Sequence, residues 1–126
     1  MSKDIKVMVV EDDPINLKLM KMLLSKYNFI TYACPDAESA QDILKTETPD
    51  IILMDLGLPG INGLELTEKL KNSTLDILRN IKIIAVTAYA RNIDKERAMQ
   101  AGCDGFISKP INIHQVIDDI HLLIGR

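Results

Sequence analysis

The sequence predicts an α/β domain in which helices cover both faces of a five-stranded parallel sheet. Short apolar runs rich in isoleucine and valine recur along the chain, and such runs are typical of strands that are buried on both faces. Each run precedes a stretch with helical signals, either apolar residues three or four positions apart or a capping residue. Alternating strands and helices favour a parallel sheet, because parallel strands need crossover connections.

The first two units show these signals most clearly. Residues 5–10 predict a strand, and Asp13-Pro14 predicts a helix N-cap followed by proline at the first helical position. The helix is indicated by apolar residues at spacings of three and four: Leu17, Met20, Leu24 and Tyr27. Residues 29–33 predict the second strand, and Pro35-Asp36 opens a helix that is expected to end near residue 45.

The same alternation continues to the end of the sequence. The remaining strands are predicted at residues 51–55, 81–86 and 105–108. Two of the helices that follow are predicted at residues 64–71 and 92–101, the second ended by Gly102. Asn112 caps the last helix, for which we expect these inward-facing residues: Ile113, Val116, Ile117, Ile120, Leu123 and Ile124.

Composition limits the classes of function. A formal net charge of −3 gives no general attraction to nucleic acid or to anionic membranes. The two cysteines, Cys34 and Cys103, form no CxxC pair and have no histidine at ligand spacing, so we expect free thiols and no structural zinc. No apolar run approaches the ~20 residues that span a bilayer, and the charged start MSKDIK does not resemble a signal peptide. We therefore expect a single cytoplasmic domain over residues 1–126.

Acidic and other polar residues follow four of the predicted strands. Glu11 and Asp12 follow the first strand, Asp55 ends the third, Thr87 follows the fourth and Lys109 follows the fifth. Ligands of open parallel sheets bind beyond the carboxyl ends of the strands, so these side chains are expected to meet at one edge. Carboxylate oxygens clustered in this way favour a hard cation such as Mg²⁺. Asp13 needs no such explanation, because the N-cap role accounts for it.

Four motifs carry a resemblance to a known family. In order along the chain, VVEDD, ILMDLGLPGINGLEL, IIAVTAYA and ISKPI resemble the response-regulator receiver domain of the CheY-like superfamily. The resemblance covers essentially the whole chain. It implies a flavodoxin-like fold with strand order 2-1-3-4-5 and, in Lys109-Pro110, a cis peptide bond.

The resemblance also implies the chemistry of the strand ends. Asp55 would accept a phosphoryl group from a histidine kinase or a histidine phosphotransfer protein. Asp12, Asp55 and the Gly57 carbonyl would bind Mg²⁺, for which Mn²⁺ could substitute, and Glu11 would act through water. Thr87 and Lys109 would contact the transferred phosphoryl group.

Three residues are expected to control the response or its duration. Phe106 resembles the aromatic residue that changes rotamer as the Thr87 loop moves inward, although plain core packing explains it nearly as well. Gly57 is small for its position two residues after the phosphoacceptor and leaves the site less covered. Tyr89 lies two residues past Thr87, so in an extended chain its ring would face the site and shield the phosphoryl group from water. The alternative is that the Tyr89 ring turns outward and contacts a partner.

The resemblance implies a stand-alone regulator with no output domain. The region VTAYARNIDKERAMQAGCDGFISKPI is most similar to DivK-type cell-cycle regulators, and it is also similar to receivers of hybrid kinases. We expect a downstream protein to bind the face made by the family's fourth helix, fifth strand and fifth helix, with no direct DNA binding and no membrane insertion. Leu122 lies off the inward stripe of the last helix, where a partner contact and a stray surface leucine remain equally open.

Three rival functions remain as alternatives. An aspartyl-phosphate hydrolase typically carries a DxD pair and a cap domain, whereas Asp55 is followed by Leu56 and Gly57. A nucleotide-binding protein is disfavoured because GLPGING lacks both the GK[ST] ending and the GxGxxG spacing. A degenerate receiver that serves only for docking is disfavoured by the intact acidic set. We expect no enzyme activity beyond Mg²⁺-dependent self-phosphorylation and autodephosphorylation.

Overall fold

The computed structural model describes residues 4–57, 62–88 and 91–125, and within these ranges it contains five strands and six helices. The strands are β1 (Lys6–Val10), β2 (Ile30–Cys34), β3 (Ile51–Asp55), β4 (Lys82–Thr87) and β5 (Gly105–Ser108). The helices are α1 (Pro14–Lys26), α2 (Ala37–Leu44), α3 (Gly63–Lys71), α4 (Asp76–Arg79), α5 (Asn92–Ala101) and α6 (Ile113–Ile124).

The strands form one parallel sheet in the order β2-β1-β3-β4-β5, which confirms the predicted topology. Its register aligns the strand ends that carry the polar residues. Val10 pairs with Met54, and Asp55 pairs with Val86. Glu11 therefore leaves β1 beside the end of β3, and the sheet brings the predicted site residues to one edge.

Alternate residues of the strands face two separate apolar cores. One core contains Val7, Leu53 and Ile84 from the sheet and is covered by α1 and α6. The other contains Met8, Met54 and Ala85 and is covered by α2, α3 and α5. Because side chains alternate along a strand, burial of both faces explains why the strands read as continuous apolar runs.

The helix α4 was not predicted, so the expected count of five helices was wrong by one. With four residues, α4 is too short to show a helical repeat in the sequence. The other boundaries differ by two residues or fewer. Phe29 precedes β2 and still lies in the core, and Asp36 caps α2 by accepting a hydrogen bond from the Ser39 N–H at 2.7 Å.

The inward faces of the first and last helices were largely predicted correctly. Met20 and Leu24 are the buried residues of α1. Tyr27 is instead the C-cap residue of α1, and its ring contacts His114 edge-on, with 6.3 Å between ring centroids. The six apolar residues expected inside α6 are all buried or partly buried in the core that α1 also covers. Cys34 and Cys103 are buried free thiols, as predicted. Among the described residues, no helix combines the length and apolar character that a membrane crossing requires.

A partly buried lysine organises the amino-terminal end of β4. The Lys71 ammonium donates to the Asp104 carboxylate and to the Ile81 carbonyl, both at 2.9 Å. The same Asp104 oxygen accepts the Ile83 N–H at 2.9 Å. These bonds join the end of α3, the start of β4 and the turn before β5 at the end of the sheet away from the acidic residues.

Candidate functional site

The site forms where β1, β3, β4 and β5 end. The Glu11 N–H donates to the Cys34 carbonyl at 3.0 Å, so the sheet pairing continues one residue past β1. Asp55 and Thr87 are the last residues of their strands, and both are buried. The Lys109 N–H donates to the Thr87 carbonyl at 2.7 Å. Lys109-Pro110 is the predicted cis peptide.

Three carboxylates and one ammonium group meet at this edge. One carboxylate oxygen from each of Glu11, Asp12 and Asp55 lies within 4.8 Å of the others. The Lys109 Nζ donates to Glu11 Oε1 at 2.9 Å and to Asp55 Oδ2 at 3.3 Å. Glu11 and Asp55 are only 4% and 6% exposed, whereas Asp12 is exposed. Among the described residues, Lys109 is the lysine bonded to this cluster, and it offsets only part of the negative charge.

The two buried carboxyl groups differ in their affinity for a proton. Burial, followed by the neighbouring Asp55 carboxylate, raises the pKa of Glu11 from 4.5 to about 7, against the opposing effect of Lys109. Burial also acts to raise the pKa of Asp55, but Glu11, the Gly57 N–H and Lys109 outweigh it and hold that pKa below its usual value. The pKa of Lys109 is raised, because the two carboxylates outweigh its burial. Asp55 is thus the member of the pair that ionises at the lower pH.

The backbone around Asp55 holds its carboxylate in place. The Gly57 N–H donates to Asp55 Oδ1 at 2.9 Å, and the Leu56 N–H donates to the Val86 carbonyl at 3.1 Å. The first residue of α3, Gly63, packs so closely that a Cβ there would overlap the Asp55 carbonyl oxygen. Only glycine allows this helix to start against the backbone of Asp55.

The residues present fit a hard divalent cation. All three acidic side chains offer oxygen ligands, which Mg²⁺ prefers. Glu11 Oε2 is buried and has no hydrogen-bond partner among the described residues. A buried acceptor of this kind is costly unless a donor reaches it, and a water molecule held by a cation would supply one. The Gly57 carbonyl as a metal ligand stays a prediction.

Three further residues singled out in the sequence lie outside the three-carboxylate cluster or outside the described residues. Asp13 caps α1 by accepting the Ile15 N–H at 2.9 Å, as predicted. Phe106 on β5 is partly buried against the core that contains Met54, and a rotamer change there stays a prediction. Tyr89 lies outside the described residues.

Two features of the site were not anticipated from the sequence. The Lys109 ammonium bridges Glu11 and Asp55, whereas the sequence indicated only that these residues share an edge. Gly63 lies one residue before the predicted start of this helix, and its contact with Asp55 depends on the angle at which α3 meets β3. The signal that could have indicated it is a glycine one residue after the Asn62 cap, where glycine has poor helix propensity.

The chain is similar in sequence to response regulators of the DivK type. The polar-differentiation response regulator DivK of Brucella anthropi is 42% identical over 119 residues, which covers 94% of this chain and 95% of DivK. DivK of Brucella ovis is 41% identical with the same coverage. The similarity therefore extends over nearly the full length of both relatives.

Solved structures show the same fold. The receiver domain of a sensor histidine kinase from Pseudomonas aeruginosa superposes with a TM-score of 0.87 and 27% identity, covering 98% of this chain and 100% of that domain. That structure has a magnesium ion coordinated in its active-site cleft. A response regulator from Chloroflexus aurantiacus gives a TM-score of 0.89 at 22% identity, with 98% and 100% coverage, and shows the fold alone. The model of the response regulator receiver domain matches residues 7–121. The chain therefore belongs to the response regulator receiver domain family.

Proposed function

We propose that the protein is a phosphorelay regulator in which Asp55 accepts a phosphoryl group from a phosphohistidine. The observation that carries this proposal is the pairing of the buried Asp55 carboxylate with Lys109 at 3.3 Å, beside the buried Glu11 and the exposed Asp12. The site lowers the pKa of Asp55 and so favours its ionised form. A carboxylate is a competent nucleophile that forms an acyl phosphate when it attacks phosphorus. The donor is a histidine kinase or a histidine phosphotransfer protein.

The transfer forms one bond and breaks one bond. A carboxylate oxygen of Asp55 attacks phosphorus, the P–N bond breaks, and the electron pair of that bond leaves with the donor imidazole. Lys109 then lies beside the new phosphoryl oxygens, where its charge offsets the developing negative charge. Attack of water on the aspartyl phosphate returns Asp55 and inorganic phosphate.

Receiver domains bind Mg²⁺ at their acidic pocket, and in this chain Asp12, Asp55 and the Gly57 carbonyl would hold it, with Glu11 contributing through water. The cation would supply charge neutralisation for the phosphoryl oxygens. The buried Glu11 oxygen without a partner among the described residues supports this assignment. Mn²⁺ prefers similar oxygen ligands and would replace Mg²⁺.

Thr87 and Phe106 would convert phosphorylation into a change of surface. Thr87 ends β4 next to β5, and Phe106 pairs with Ala85 in that register. A phosphoryl group that accepts a hydrogen bond from the Thr87 hydroxyl would draw in the loop after β4, and Phe106 would change rotamer with it. Tyr89, with Gly57 offering no cover, would shield the phosphoryl group. Tyr89→Ala should shorten its lifetime several-fold, measured as decay after donor removal, and equal decay would exclude shielding.

The phosphodonor would dock on the exposed apolar residues of α1. Ile15 is 77% exposed and Met22 is 61% exposed, and Leu19 lines a groove of about 480 Å³ that also reaches Glu11 and Lys109. Apolar side chains left in water beside a reactive site indicate a protein contact. A donor helix on this surface would bring its phosphohistidine to Asp55.

The downstream target would bind the α5–β5–α6 face. This is the face made by the family's fourth helix, fifth strand and fifth helix, because the short α4 raises the later helix numbers by one here. Ile93 and Met99 are exposed on α5, and Leu122 on α6 is 79% exposed. The likeness to DivK supports a stand-alone regulator that acts by protein contacts. The alternative is a receiver that works within a hybrid-kinase relay. In that case, transfer of the phosphoryl group to a phosphotransfer protein would be faster than its hydrolysis.

Acetyl phosphate with Mg²⁺ tests the proposal directly. Intact-mass measurement should show one added phosphoryl group in the wild type and none in Asp55→Asn. Asp50→Asn, at the opposite end of β3, serves as a carboxylate control and should be labelled like the wild type. Labelling of Asp55→Asn, or full labelling of the wild type in chelator, would exclude Asp55 as the metal-dependent phosphoacceptor.

A further inference from the structure

We propose that a groove between α2, α3 and α4 docks an amphipathic helix of a partner protein whose apolar face is flanked by acidic residues. The α2–α4 groove has these apolar lining residues: Leu44, Leu66, Leu70, Leu75, Ile77 and Leu78. Its volume is about 760 Å³, which lies within the range of ligand-binding clefts. This surface is separate from the α1 and α5–β5–α6 faces and goes beyond the phosphoacceptor function.

The wall formed by α4 presents apolar side chains to solvent. Leu75 is 56% exposed and Ile77 is 60% exposed, although Leu66 and Leu70, which line the same groove, belong to the core. The wall is held in place: the Leu75 N–H donates to Ser73 Oγ at 3.1 Å, and Arg79 donates to the Ser73 carbonyl at 3.3 Å. The groove is therefore preformed, and an apolar occupant would cover surface that is now in water.

The charges around the groove indicate the chemistry of its occupant. Lys45 and Lys69 are the charged residues among those lining it, and none of these lining residues is acidic. This contrasts with the net charge of −3 of the whole chain. Lys45 pairs with Asp42 at 3.2 Å, but both side chains are about three-quarters exposed, so the pair is weak and Lys45 can exchange partners. Acidic residues on the occupant would complement this rim.

The leucine-rich lining fits one established mode of recognition. Hydrophobic grooves bind an amphipathic helix through apolar residues that lie three and four positions apart.

The position of the groove leaves the phosphoacceptor accessible. Its α3 residues begin at Leu66, three positions after Gly63, the residue at the start of α3 that touches Asp55. The groove extends to Ser73 and α4, near the end of the sheet where Lys71 contacts Ile81. A helix bound there would not cover Asp55, so docking is expected to be equally strong in Asp55→Asn.

Two synthetic peptides test this proposal against the isotope-labelled full chain. Both are helices of about 15 residues with the same leucine face, and their flanking residues are either glutamate or lysine. The glutamate peptide should shift the amide signals of Leu44, Leu70 and Ile77 in NMR spectra. Its affinity should fall about ten-fold in Lys69→Glu and in Ile77→Lys, while Lys95→Glu on α5 should bind normally. Ile77 is exposed, so its replacement should not unfold the protein.

Several results would overturn the proposal. Equal binding of the glutamate and lysine peptides would remove the role of Lys45 and Lys69. Shifts confined to α1 would place the peptide on the other apolar surface. Self-association that disappears in Ile77→Lys would assign the groove to a second copy of the chain, and a fatty acid retained in native mass spectra of the wild type, absent in Ile77→Lys, would assign it to a small anionic amphiphile.

Discussion

Two lysines at opposite ends of the sheet have opposite surroundings. Lys71 donates to one carboxylate and to backbone carbonyls, and Asp104 is in turn bonded to a backbone N–H. Lys109 faces two buried carboxylates, with the exposed Asp12 nearby and one Glu11 oxygen lacking a partner among the described residues. The first arrangement is balanced in charge and satisfied, so it stabilises the fold. The second carries excess negative charge, which a bound cation would offset.

The largest effect should come from removing the lysine at the acidic end. Lys109→Ala should lower the rate of labelling by acetyl phosphate about 100-fold, because it removes a preorganised cation beside the transferred group. Lys71→Ala is the matched control, and its labelling rate per folded molecule should stay within about two-fold of the wild type. Intact-mass time courses measure both rates. Similar losses in the two variants would mean that Lys109 acts through stability alone.

Mg²⁺ should stabilise the acidic end and leave the Lys71 end unaffected. At a free concentration of 100 times the dissociation constant, linkage predicts about 2.7 kcal/mol of added unfolding free energy, measured by urea denaturation. Asp12→Asn should weaken this gain. Lys71→Ala should retain it in full, because its contacts are remote from the carboxylates. An unchanged unfolding free energy at saturating Mg²⁺ would contradict a preformed metal site.

Removing Lys71 should reduce stability by about 2 kcal/mol, since it leaves the Ile81 carbonyl and the Asp104 carboxylate short of a charged donor. The exposed Lys95 on α5 provides a control, and Lys95→Ala should change the unfolding free energy by less than about 0.5 kcal/mol. Urea denaturation in the presence of chelator measures the unfolding free energies of both variants. Equal effects of the two substitutions would refute the structural role of Lys71.

The smallest effect should be a dependence of stability on pH in metal-free protein. Between pH 4.5 and about pH 7, Glu11 of the folded protein holds a proton that the unfolded chain has released. The unfolding free energy therefore falls as pH rises through this range. The depressed pKa of Asp55 acts at lower pH, where its stabilising contribution is lost as pH falls through that pKa. Unfolding free energies at pH 5.5 and pH 8 should differ less in Glu11→Gln and in saturating Mg²⁺. If the unfolding free energy of Glu11→Gln changed with pH as much as that of the wild type, the pH dependence would belong to other groups.

The sequence by itself determined the strands, most helices and the edge at which the polar residues meet. Continuous apolar runs such as residues 51–55 can be buried only if both faces of a sheet are covered, and parallel connection then places Glu11 and Asp55 at the same edge. Local chemistry was equally informative, because the caps Asp13 and Asn112 act within three residues of themselves. Family motifs added the strand order and the chemistry expected of Asp55.

Tertiary structure alone decided the interactions between residues far apart in the chain. Lys109 is 98 residues from Glu11, and Lys71 is 33 residues from Asp104, so no local pattern relates either pair. The raised pKa of Glu11 follows from burial and a neighbouring charge, which depend on packing. The helix α4 and the groove beside it were equally hidden, because four residues show no period and a surface between three helices exists only after they pack.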